Sequence, residues 1–478
     1  MIDQAWPLRC SGPRVAIIGA GFTGSLLAVN LLAVTRDTSI LLFDGAGRFG
    51  RGLAYGTANA DHVLNVRTSN MSAFPGRPGH FIDWLVAAAP PDQPLDARQV
   101  AHDFVSRGRY GDYIASLLDD AAGDAGQQRR LYQYPTDVVE LIEQPSHVTL
   151  KTAKGRTIGV DYVMLCVGNF APALPRVNGQ AIRDSERYLG DPWDFERLEK
   201  IDPDSQILVL GTGLTMVDLV LTLTARGHHG PILALSRRGL LPHVHAATAV
   251  YPDFLGISPA PATALGLLRR IRGEIKHAAP GGAEWRSVLD AVRPHVQRLW
   301  QTLSVAERSR FLRHLRPFWD IHRHRMAPSA AARIAELRQQ GQLELAAGRL
   351  RGIHATETGI AAQVDLKGGP LRIAADWLIN CSGPQSDFAR IRDPLIRNLL
   401  KTGSARPDPL RLGLDLGANL ALVRGDGSVS QRLFALGPPT RSVFWEITAV
   451  PDIRNQSRTF ATWLAPRLAV TEPALPAD

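Results

Sequence analysis

Two stretches of the chain, one near the N terminus and one near the middle, share the same order of hydrophobic and polar positions. Each begins with an apolar run, continues through a glycine turn into a helical pattern, and ends in a second apolar run. The first stretch covers residues 15–18, 22–34 and 40–43, and the second covers 207–210, 214–225 and 232–235. Short apolar runs bounded by turns are typical of strands buried on both faces of a parallel sheet. The pattern therefore predicts an α/β fold in which one plan is used twice.

The later part of each half repeats as well. Short alternating strands are predicted over about 138–158 and 343–373, separated by glycine-containing turns. A closing strand follows each of them, and both closing strands carry Asp, Cys and Gly at the same offsets. These residues are Asp161, Cys166 and Gly168 in the first half, and Asp376, Cys381 and Gly383 in the second. This internal duplication predicts two Rossmann-type dinucleotide-binding domains.

A long insertion, about residues 240–342, interrupts the second half. Apolar residues recur there at three- and four-residue spacing over 262–276, 283–303 and 304–315, which predicts helices. Pro328 begins a further predicted helix that ends near residue 340, where Gly341 provides a stop. We expect an insertion of this length to shape a substrate pocket or a subunit contact, so a homo-oligomer is left open.

The first glycine turn has every glycine of the dinucleotide-binding fingerprint. Its glycines permit a tight turn, the approach of a pyrophosphate, and close packing of helix on strand, and the helix N terminus attracts phosphate. Asp44 ends the next strand, where a carboxylate accepts hydrogen bonds from ribose and repels a 2′-phosphate. The predicted cofactor contacts in this half are Gly19, Gly21, Phe22, Thr23, Gly24, Asp44 and Gly168.

The second glycine turn departs from the fingerprint, because Met216 replaces the third glycine. The following strand ends in Ser236-Arg237-Arg238 rather than in an acid, and a hydroxyl with guanidinium groups suits a 2′-phosphate. This favours NADPH, with NADH as an alternative; otherwise the arginines are solvated or brace the insertion. The predicted contacts are Gly211, Gly213, Leu214, Thr215, Ser236, Arg237, Arg238 and Gly383.

Composition narrows the class of protein. The chain has 478 residues and a net charge of +9, which indicates either a solvated arginine-rich surface or a field that attracts anions such as NADPH or an acidic substrate. No basic block with interleaved aromatics occurs, so a nucleic-acid partner is not expected. The sequence lacks an apolar run long enough to cross a membrane, and residues 1–13 do not look like a secretory signal, so we expect a cytoplasmic protein.

The three cysteines argue against two kinds of site. Cys10, Cys166 and Cys381 form no CxxC pair, and no Cys/His group has zinc-ligand spacing. A dithiol–disulfide reductase is therefore disfavoured, and no metal is expected. Because Cys166 and Cys381 occupy equivalent places in different halves, each is interpreted as a small filler at a strand end.

Further motifs resemble those of bacterial FAD/NAD(P)-binding oxidoreductases of the flavin-monooxygenase-like group, which include flavin-dependent urate hydroxylases and amino-acid N-hydroxylating enzymes. The resemblance rests on the first glycine turn and on residues 52–57, 62–66, 70–75, 81–85, 236–242, 319–328 and 444–454. It implies a glutathione-reductase-like arrangement with FAD in the first site and NAD(P)H in the second. It also implies a discontinuous FAD-binding domain over 1–175 and 376–478 and an NAD(P)H-binding domain over 200–375.

One position departs from the pattern of such flavoproteins. They often carry a Gly-Asp pair whose carboxylate holds the ribityl chain of the flavin, and the matching glycine here is Gly437. No Asp follows it, because Pro438 takes that place. We still expect Gly437 to contact the flavin, with the ribityl contact supplied from elsewhere.

Three segments are candidates for the active site. In the resembling fold the chain after Asp44 runs beneath the flavin, so Asn65, Asn70 and Met71 are proposed to contact the isoalloxazine; the alternative is a structural loop tied by asparagine turns. His322, Arg323 and Arg325 could grip an anionic substrate and shuttle a proton, or form a solvated basic helix end. The pair Phe444-Trp445 either caps the flavin ring or packs in the core.

Taken together, the motifs favour an FAD-dependent, NAD(P)H-consuming monooxygenase. Reduced flavin would capture O₂ as a C4a-(hydro)peroxide and hydroxylate a small polar, anionic substrate, either a urate-like heterocycle or an amino acid. Two alternatives share these motifs. One is an FAD-dependent NAD(P)H reductase or dehydrogenase without oxygenation, and the other is a non-catalytic nucleotide-binding protein.

Overall fold

A computed structural model describes residues 12–123, 129–175, 177–256 and 260–469. The chain divides into two compact units. The first contains the residues up to Ala58, Val66–Asn169, and the residues from Ser386 onward. The second contains Asn59–Asn65 and Phe170–Gln385. A short excursion of the N-terminal chain therefore belongs to the second unit.

The strands follow in chain order. They are β1 (Arg14–Ile18), β2 (Ser39–Phe43), β3 (Leu131–Tyr134), β4 (Val138–Glu143), β5 (Val148–Thr152), β6 (Thr157–Val160), β7 (Tyr162–Leu165), β8 (Tyr188–Leu189), β9 (Ile207–Leu210), β10 (Ile232–Ser236), β11 (Leu343–Ala355), β12 (Ile360–Leu366), β13 (Gly369–Ala375), β14 (Trp377–Asn380), β15 (Ala421–Val423) and β16 (Val429–Ala435).

The α-helices are also numbered in chain order. They are α1 (Phe22–Val34), α2 (Gly52–Tyr55), α3 (His80–Ala87), α4 (Ala97–His102), α5 (Arg107–Ala122), α6 (Phe195–Leu198), α7 (Leu214–Ala225), α8 (Ala264–Ala278), α9 (Trp285–Val292), α10 (Val296–Thr302), α11 (Val305–Arg310), α12 (Arg316–Arg323), α13 (Pro328–Gln339), α14 (Pro394–Lys401) and α15 (Val450–Ala469). A π-helical turn, Phe311–Leu315, joins α11 to α12.

The first unit is built on a six-stranded sheet in the order β15-β16-β7-β1-β2-β3. Every neighbouring pair is parallel except β15 with β16. One face of β1, carrying Val15 and Ile17, is covered by Leu31 of α1 and Leu464 of α15. The strands β4, β5 and β6 form a separate antiparallel sheet.

The second unit is built on a seven-stranded sheet in the order β13-β12-β11-β10-β9-β14-β8. On one face of β9, Val209 packs with α7 and α13, and on the other Leu208 packs with Ile353 of β11 and with the antiparallel strands that follow it. The predicted helical insertion is present as α8 to α12. Helices α8 to α11, with the π-helical turn that follows α11, lie within about two residues of the predicted segments, although the predicted helix over 283–303 is divided into α9 and α10, and α12 was not predicted. Helix α13 begins at Pro328 as predicted.

The duplication predicted from the sequence is visible in both sheets, and the α/β fold with parallel sheets is confirmed. In each unit the strand before the glycine turn lies between two parallel neighbours, β2 and β7 in the first and β10 and β14 in the second. The two copies differ in one connection. The strand β11 pairs with β10 over its first residues and with β12 over the rest, whereas β3 and β4 divide these two roles in the first unit.

Candidate functional site

The first glycine turn has a backbone that only glycine accommodates at two of its positions. Gly19 has a φ of +98°, and a Cβ there would lie 2.4 Å from the carbonyl oxygen of Cys166. A Cβ on Gly24 would lie 1.9 Å from the carbonyl oxygen of Gly19, so α1 rests directly on the turn. At Gly21 a Cβ would meet its nearest atom at 3.5 Å, which is ordinary contact. Gly19 and Gly24 are thus required by the fold, whereas Gly21 is not.

The N terminus of α1 is open to a ligand. Gly21 is its N-cap, and no side chain among the described residues caps it by a hydrogen bond. Backbone N–H groups at such a terminus bind phosphate. The carboxylate of Asp44 lies beside the turn, accepting from the backbone N–H of Ala20 at 3.2 Å and of Arg48 at 3.2 Å. An uncapped helix terminus with a carboxylate at the end of the next strand fits the phosphates and a ribose of FAD.

Two further glycines bring distant parts of the chain to this turn. A Cβ on Gly52 would lie 2.8 Å from the Cα of Gly21, so the start of α2 lies against the turn. A Cβ on Gly437 would lie 2.5 Å from the hydroxyl of Thr23. The backbone N–H of Gly437 donates to the side-chain oxygen of Gln456 at 2.7 Å. Gly437, which no Asp follows, is therefore held by the side chain of Gln456 from α15.

A cluster of aromatic side chains, which was not predicted from the sequence, adjoins the start of α1. The ring of Phe22 contacts Tyr55 and Tyr110, with both ring centroids 5.9 Å away. Tyr110 contacts Tyr113 at 5.7 Å, and the Tyr113 hydroxyl lies 2.7 Å from Nδ1 of His80. Burial raises the pKa of Tyr55 and of Tyr113 to about 12, so these phenols are neutral.

The three residues predicted to contact the isoalloxazine do not fall in one unit. Asn70 and Met71 lie in the first unit, where Asn70 is exposed and Met71 is only 2% exposed. Asn65 lies in the second unit, where its carbonyl oxygen accepts from Nε2–H of His245 at 2.8 Å. A flavin contact from Met71 would therefore come from its backbone rather than from its buried side chain. The roles of Asn65 and Asn70 stay predictions.

The excursion containing Asn65 is fastened to the helix of the second glycine turn. His62 is 1% exposed, and its Nε2 lies 3.0 Å from the carbonyl oxygen of Asp218 and 2.8 Å from the hydroxyl of Thr222. Both partners belong to α7. The sequence marked residues 62–66 only through a family resemblance, and 156 residues separate His62 from Asp218.

The second glycine turn repeats the geometry of the first. Gly211 has a φ of +110°, and a Cβ there would lie 2.3 Å from the carbonyl oxygen of Cys381. Gly213 is the N-cap of α7, no side chain among the described residues caps it, and a Cβ on it would meet no atom within 4 Å. Leu214 and Thr215 form the first turn of this helix. The second turn is thus also an open helix terminus with space in front of it.

The segment after β10 supplies two guanidinium groups with different surroundings. The Ser236 hydroxyl accepts from the backbone N–H of Gly239 and from the hydroxyl of Thr212, both at 2.9 Å, and so shapes the turn. Arg238 lies over the ring of Phe318, with 4.8 Å from its guanidinium carbon to the ring centroid. Arg237 is exposed and makes no hydrogen bond or ion pair within the described part of the chain. Arg237 is therefore the better placed of the two for a phosphate.

The contacts of Arg325 argue against the substrate-gripping role that the sequence suggested. Its side chain is 3% exposed, and its two terminal nitrogens donate to the carboxylate of Asp290 at 3.1 and 2.9 Å. The remaining Nε–H donates to the carbonyl oxygen of His322 at 2.9 Å. Three of its five N–H groups are engaged in this way and its charge is paired, so Arg325 joins α9 to the end of α12 and is poorly placed to bind an anion.

We expect Asp290→Asn to lower the free energy of unfolding by about 1–3 kcal/mol, because it leaves the buried Arg325 guanidinium without its counter-ion. Glu336→Gln is the matched control, since it removes an exposed partner of Arg333 and should change the stability much less. Chemical denaturation of both variants tests this. If both variants lose the same free energy of unfolding, the buried ion pair stabilises the protein no more than an exposed one.

His322 belongs to an aromatic group that the sequence did not reveal. Its ring centroid lies 4.5 Å from that of His243 and 4.9 Å from that of Trp285. Nδ1–H of His322 donates to the carbonyl oxygen of Phe318 at 2.7 Å, which leaves Nε2 to accept a proton. Arg323 is partly buried at the end of α12. No group of residues suited to hold a metal occurs in the described ranges.

Stability should fall as the pH drops below about 6.5. Burial, the neighbouring His322 and the guanidinium groups of Arg286 and Arg325 lower the pKa of His243. The folded protein therefore binds this proton less readily than the unfolded chain, whose histidines titrate near pH 6.5, so the contribution is present above that pH and lost below it. Denaturation at pH 7.5 and 5.5 measures the loss. His243→Gln should reduce the difference between the two pH values, and an unchanged difference would contradict this assignment.

The remaining candidates are packed in the core. Trp445 is 3% exposed beneath the guanidinium of Arg441, and Phe444 packs against the core of the first unit. Of the two interpretations left open, the contacts favour core packing. Cys166 and Cys381 lie in different units, and burial raises the pKa of both thiols. Cys10 lies outside the described residues.

Comparison with known proteins agrees with the two glycine turns. Residues 16–170 match the protein family described as FAD-NAD(P)-binding. No curated protein matches this chain in sequence. The family match confirms the resemblance to FAD/NAD(P)-binding oxidoreductases and agrees with FAD and NAD(P)H as the cofactors. None of the helices in the described ranges is long and apolar enough to span a membrane.

Three solved structures share the fold along nearly the whole chain. The reduced form of ornithine hydroxylase from Pseudomonas aeruginosa is 14% identical, with a TM-score of 0.64 over 96% of this chain and 99% of that chain. L-lysine 6-monooxygenase from Pseudomonas syringae is 16% identical, with a TM-score of 0.61 and the same coverage. Ornithine N-hydroxylase from Kutzneria sp. 744, with reduced FAD, NADP⁺ and L-ornithine, is 12% identical, with a TM-score of 0.60 over 95% and 99%.

Proposed function

We propose that this protein is an FAD-dependent, NADPH-consuming monooxygenase that hydroxylates an amino acid at nitrogen. The observation that carries the proposal is the presence of two open glycine turns in one chain, one followed by Asp44 and the other by Arg237. The two turns suit cofactors that differ at the 2′-position of the ribose. The fold shared with ornithine and lysine hydroxylases favours an amino acid over a urate-like heterocycle.

The protein groups have separate tasks in this scheme. The N terminus of α1 would bind the pyrophosphate of FAD and Asp44 a ribose, while the N terminus of α7 and Arg237 would bind NADPH. FAD, when bound, would accept a hydride from NADPH and activate O₂. Nε2 of His322, which the bond from Nδ1–H to Phe318 leaves available, would take or return a proton at the substrate, and the neighbouring Arg323 would bind an anionic group. Asn65 and Asn70 would contact the isoalloxazine, as proposed from the sequence.

A reductase without oxygenation is the main alternative, but the chain lacks a disulfide centre of the usual kind. The two cysteines that the structure describes, Cys166 and Cys381, are buried in different units, and they do not form a CxxC motif. A dithiol route for electrons is therefore not supported. A reductase that passes electrons to a small acceptor remains as the alternative, and a measurement of NADPH oxidation together with product formation distinguishes it from a monooxygenase.

The deciding measurement compares NADPH oxidation with product formation. Purified protein loaded with FAD is supplied with NADPH and O₂, together with acidic, basic and neutral amino acids or urate, one at a time. For the correct amino acid we expect hydroxylated product in a fixed ratio to NADPH consumed, and little hydrogen peroxide. NADPH oxidation that yields only hydrogen peroxide with every compound would favour the reductase. A purified protein that takes up no FAD would contradict the proposal altogether.

A further inference from the structure

The first unit contains a half-buried arginine that lacks a counter-ion. Arg454 lies in the first turns of α15, and no carboxylate among the described residues forms an ion pair with it. Burial lowers the pKa of its guanidinium, and the nearby Asp452 opposes this only in part. A charge held partly out of water is normally compensated by an opposite charge or by strong acceptors. Arg454 has only part of that compensation from the protein.

The guanidinium is nevertheless held in a fixed position. Its Nη1 donates to the carbonyl oxygen of Ser72 at 2.9 Å and to that of Asn70 at 3.4 Å. Its Nε–H is enclosed and has no acceptor. Its Nη2 has no hydrogen-bond partner in the described part of the chain and is not enclosed. One donor is therefore presented outward from a cation that two backbone carbonyls keep in place.

The location connects this donor with the first glycine turn. The phenol of Tyr110 is fully buried, and Arg454 acts on it electrostatically, so the two groups are close. The ring of Tyr110 also contacts Phe22, the residue that follows Gly21. Arg454 bonds to the segment that contains Asn70 and Ser72, and the next residue, Ala73, donates its backbone N–H to the Tyr113 hydroxyl at 3.2 Å. Tyr113 in turn contacts Tyr110, so a chain of contacts joins Arg454 to the first glycine turn. FAD extends from its pyrophosphate to its flavin end, and Arg454 lies on a path of contacts that starts at this turn.

We propose that Arg454 donates through Nη2 to the carbonyl edge of the pyrimidine ring of bound FAD, and that its charge favours the reduced, anionic flavin. This rests on the proposed function, since it takes FAD as the ligand of the first unit. The C2 and C4 carbonyl oxygens of this ring are acceptors on either side of the N3–H donor, and a guanidinium, which offers only donors, can bond to either oxygen. On reduction this ring gains negative charge, which a nearby cation stabilises more than it stabilises the neutral oxidised ring.

The test replaces Arg454 by methionine and by lysine and measures FAD itself rather than activity. FAD is removed, the apoprotein is titrated with FAD to obtain the dissociation constant, and the two-electron midpoint potential of the reloaded protein is measured. We expect Arg454→Met to bind oxidised FAD several-fold more weakly than wild type does. For reduced FAD the loss of affinity should be about tenfold larger than the loss for oxidised FAD. That additional tenfold corresponds to a potential about 30 mV lower. Arg454→Lys should lie between this variant and wild type, because it keeps the charge without the planar fork.

Arg458→Met is the matched control, because Arg458 lies one turn further along α15 and is exposed. It makes the same chemical change on the same helix and should leave both measurements as in wild type. The inference is overturned if wild type binds FAD and Arg454→Met retains its affinity and potential, or if Arg458→Met changes them equally. If Arg454→Met does not fold, the lysine variant decides, since an unaltered potential and affinity there would overturn the inference. A wild-type protein that binds no FAD would instead contradict the proposed function.

Discussion

Gly21→Ala is expected to prevent the protein from retaining FAD while leaving its fold intact. The backbone of Gly21 has a φ of −70°, which alanine adopts readily, and the added Cβ would meet its nearest protein atom at an ordinary 3.5 Å. The free energy of unfolding of the apoprotein should therefore change by no more than about 1 kcal/mol. In the complex, however, the methyl group would occupy the space in which a pyrophosphate approaches the N terminus of α1. We expect FAD binding at least about 100-fold weaker, a loss of about 3 kcal/mol.

The control for this prediction is Gly24→Ala, three residues further on. Its Cβ would lie 1.9 Å from a backbone carbonyl oxygen, so α1 would have to move away from the turn and the apoprotein itself should be destabilised. Thermal unfolding of the two apoproteins and the flavin content of the two purified proteins separate the effects. If Gly21→Ala copurifies with a full complement of FAD, the pyrophosphate does not bind at the N terminus of α1.

Arg237→Ala is expected to remove most of the preference for NADPH over NADH. Arg237 is exposed at the end of β10, where a 2′-phosphate would be recognised, and it makes no competing hydrogen bond or ion pair within the described residues. A hydrogen bond to a charged group contributes about 1.5–3 kcal/mol, so KM for NADPH should rise about 10- to 100-fold. KM for NADH, which has no 2′-phosphate, should change by less than about twofold.

Arg238→Ala is the matched comparison at the neighbouring position. Because Arg238 already lies over the ring of Phe318, its replacement should have a smaller effect on NADPH. Initial rates of cofactor oxidation with both cofactors give the four KM values needed. If the double variant Arg237→Ala/Arg238→Ala keeps the NADPH/NADH ratio of wild type, this segment does not recognise the 2′-phosphate.

The two glycine turns are equivalent as backbone and different as binding sites. In both, the first glycine has a positive φ and approaches the carbonyl oxygen of a buried cysteine at the end of the closing strand. Each cysteine is buried next to a glycine turn, where a small side chain fits, so its presence is explained without a redox role. The side chains that end the next strand differ, a carboxylate at Asp44 and guanidinium groups at Arg237 and Arg238. Selectivity between two dinucleotides therefore depends on a few side chains at the end of the second strand, because the backbone of the strand–turn–helix unit is the same in both halves.

The local elements around both turns were predictable from the sequence. The helices α1 and α7 have the predicted bounds, and the strands β2 and β10 begin or end within one residue of theirs. The helices α2 to α5, between Asp44 and β3, were not predicted. Short helices such as α2 and α4 hold too few turns for an apolar period to emerge, and α3 and α5 are fixed by an aromatic cluster whose members come from four separate segments.

By itself the sequence determined the duplicated α/β plan, the two glycine turns and the chemistry at the ends of their second strands. These depend on the period of apolar residues and on backbone conformations that glycine alone adopts easily, and both are properties of a few consecutive residues. Only the tertiary structure decided that Arg325 is neutralised by Asp290, that the ring of His322 meets Trp285 edge to face, and that Arg454 is held by a carbonyl 382 residues away. Whether a charged side chain is free to bind a ligand depends on which distant groups the folded chain brings to it, and no local pattern records that.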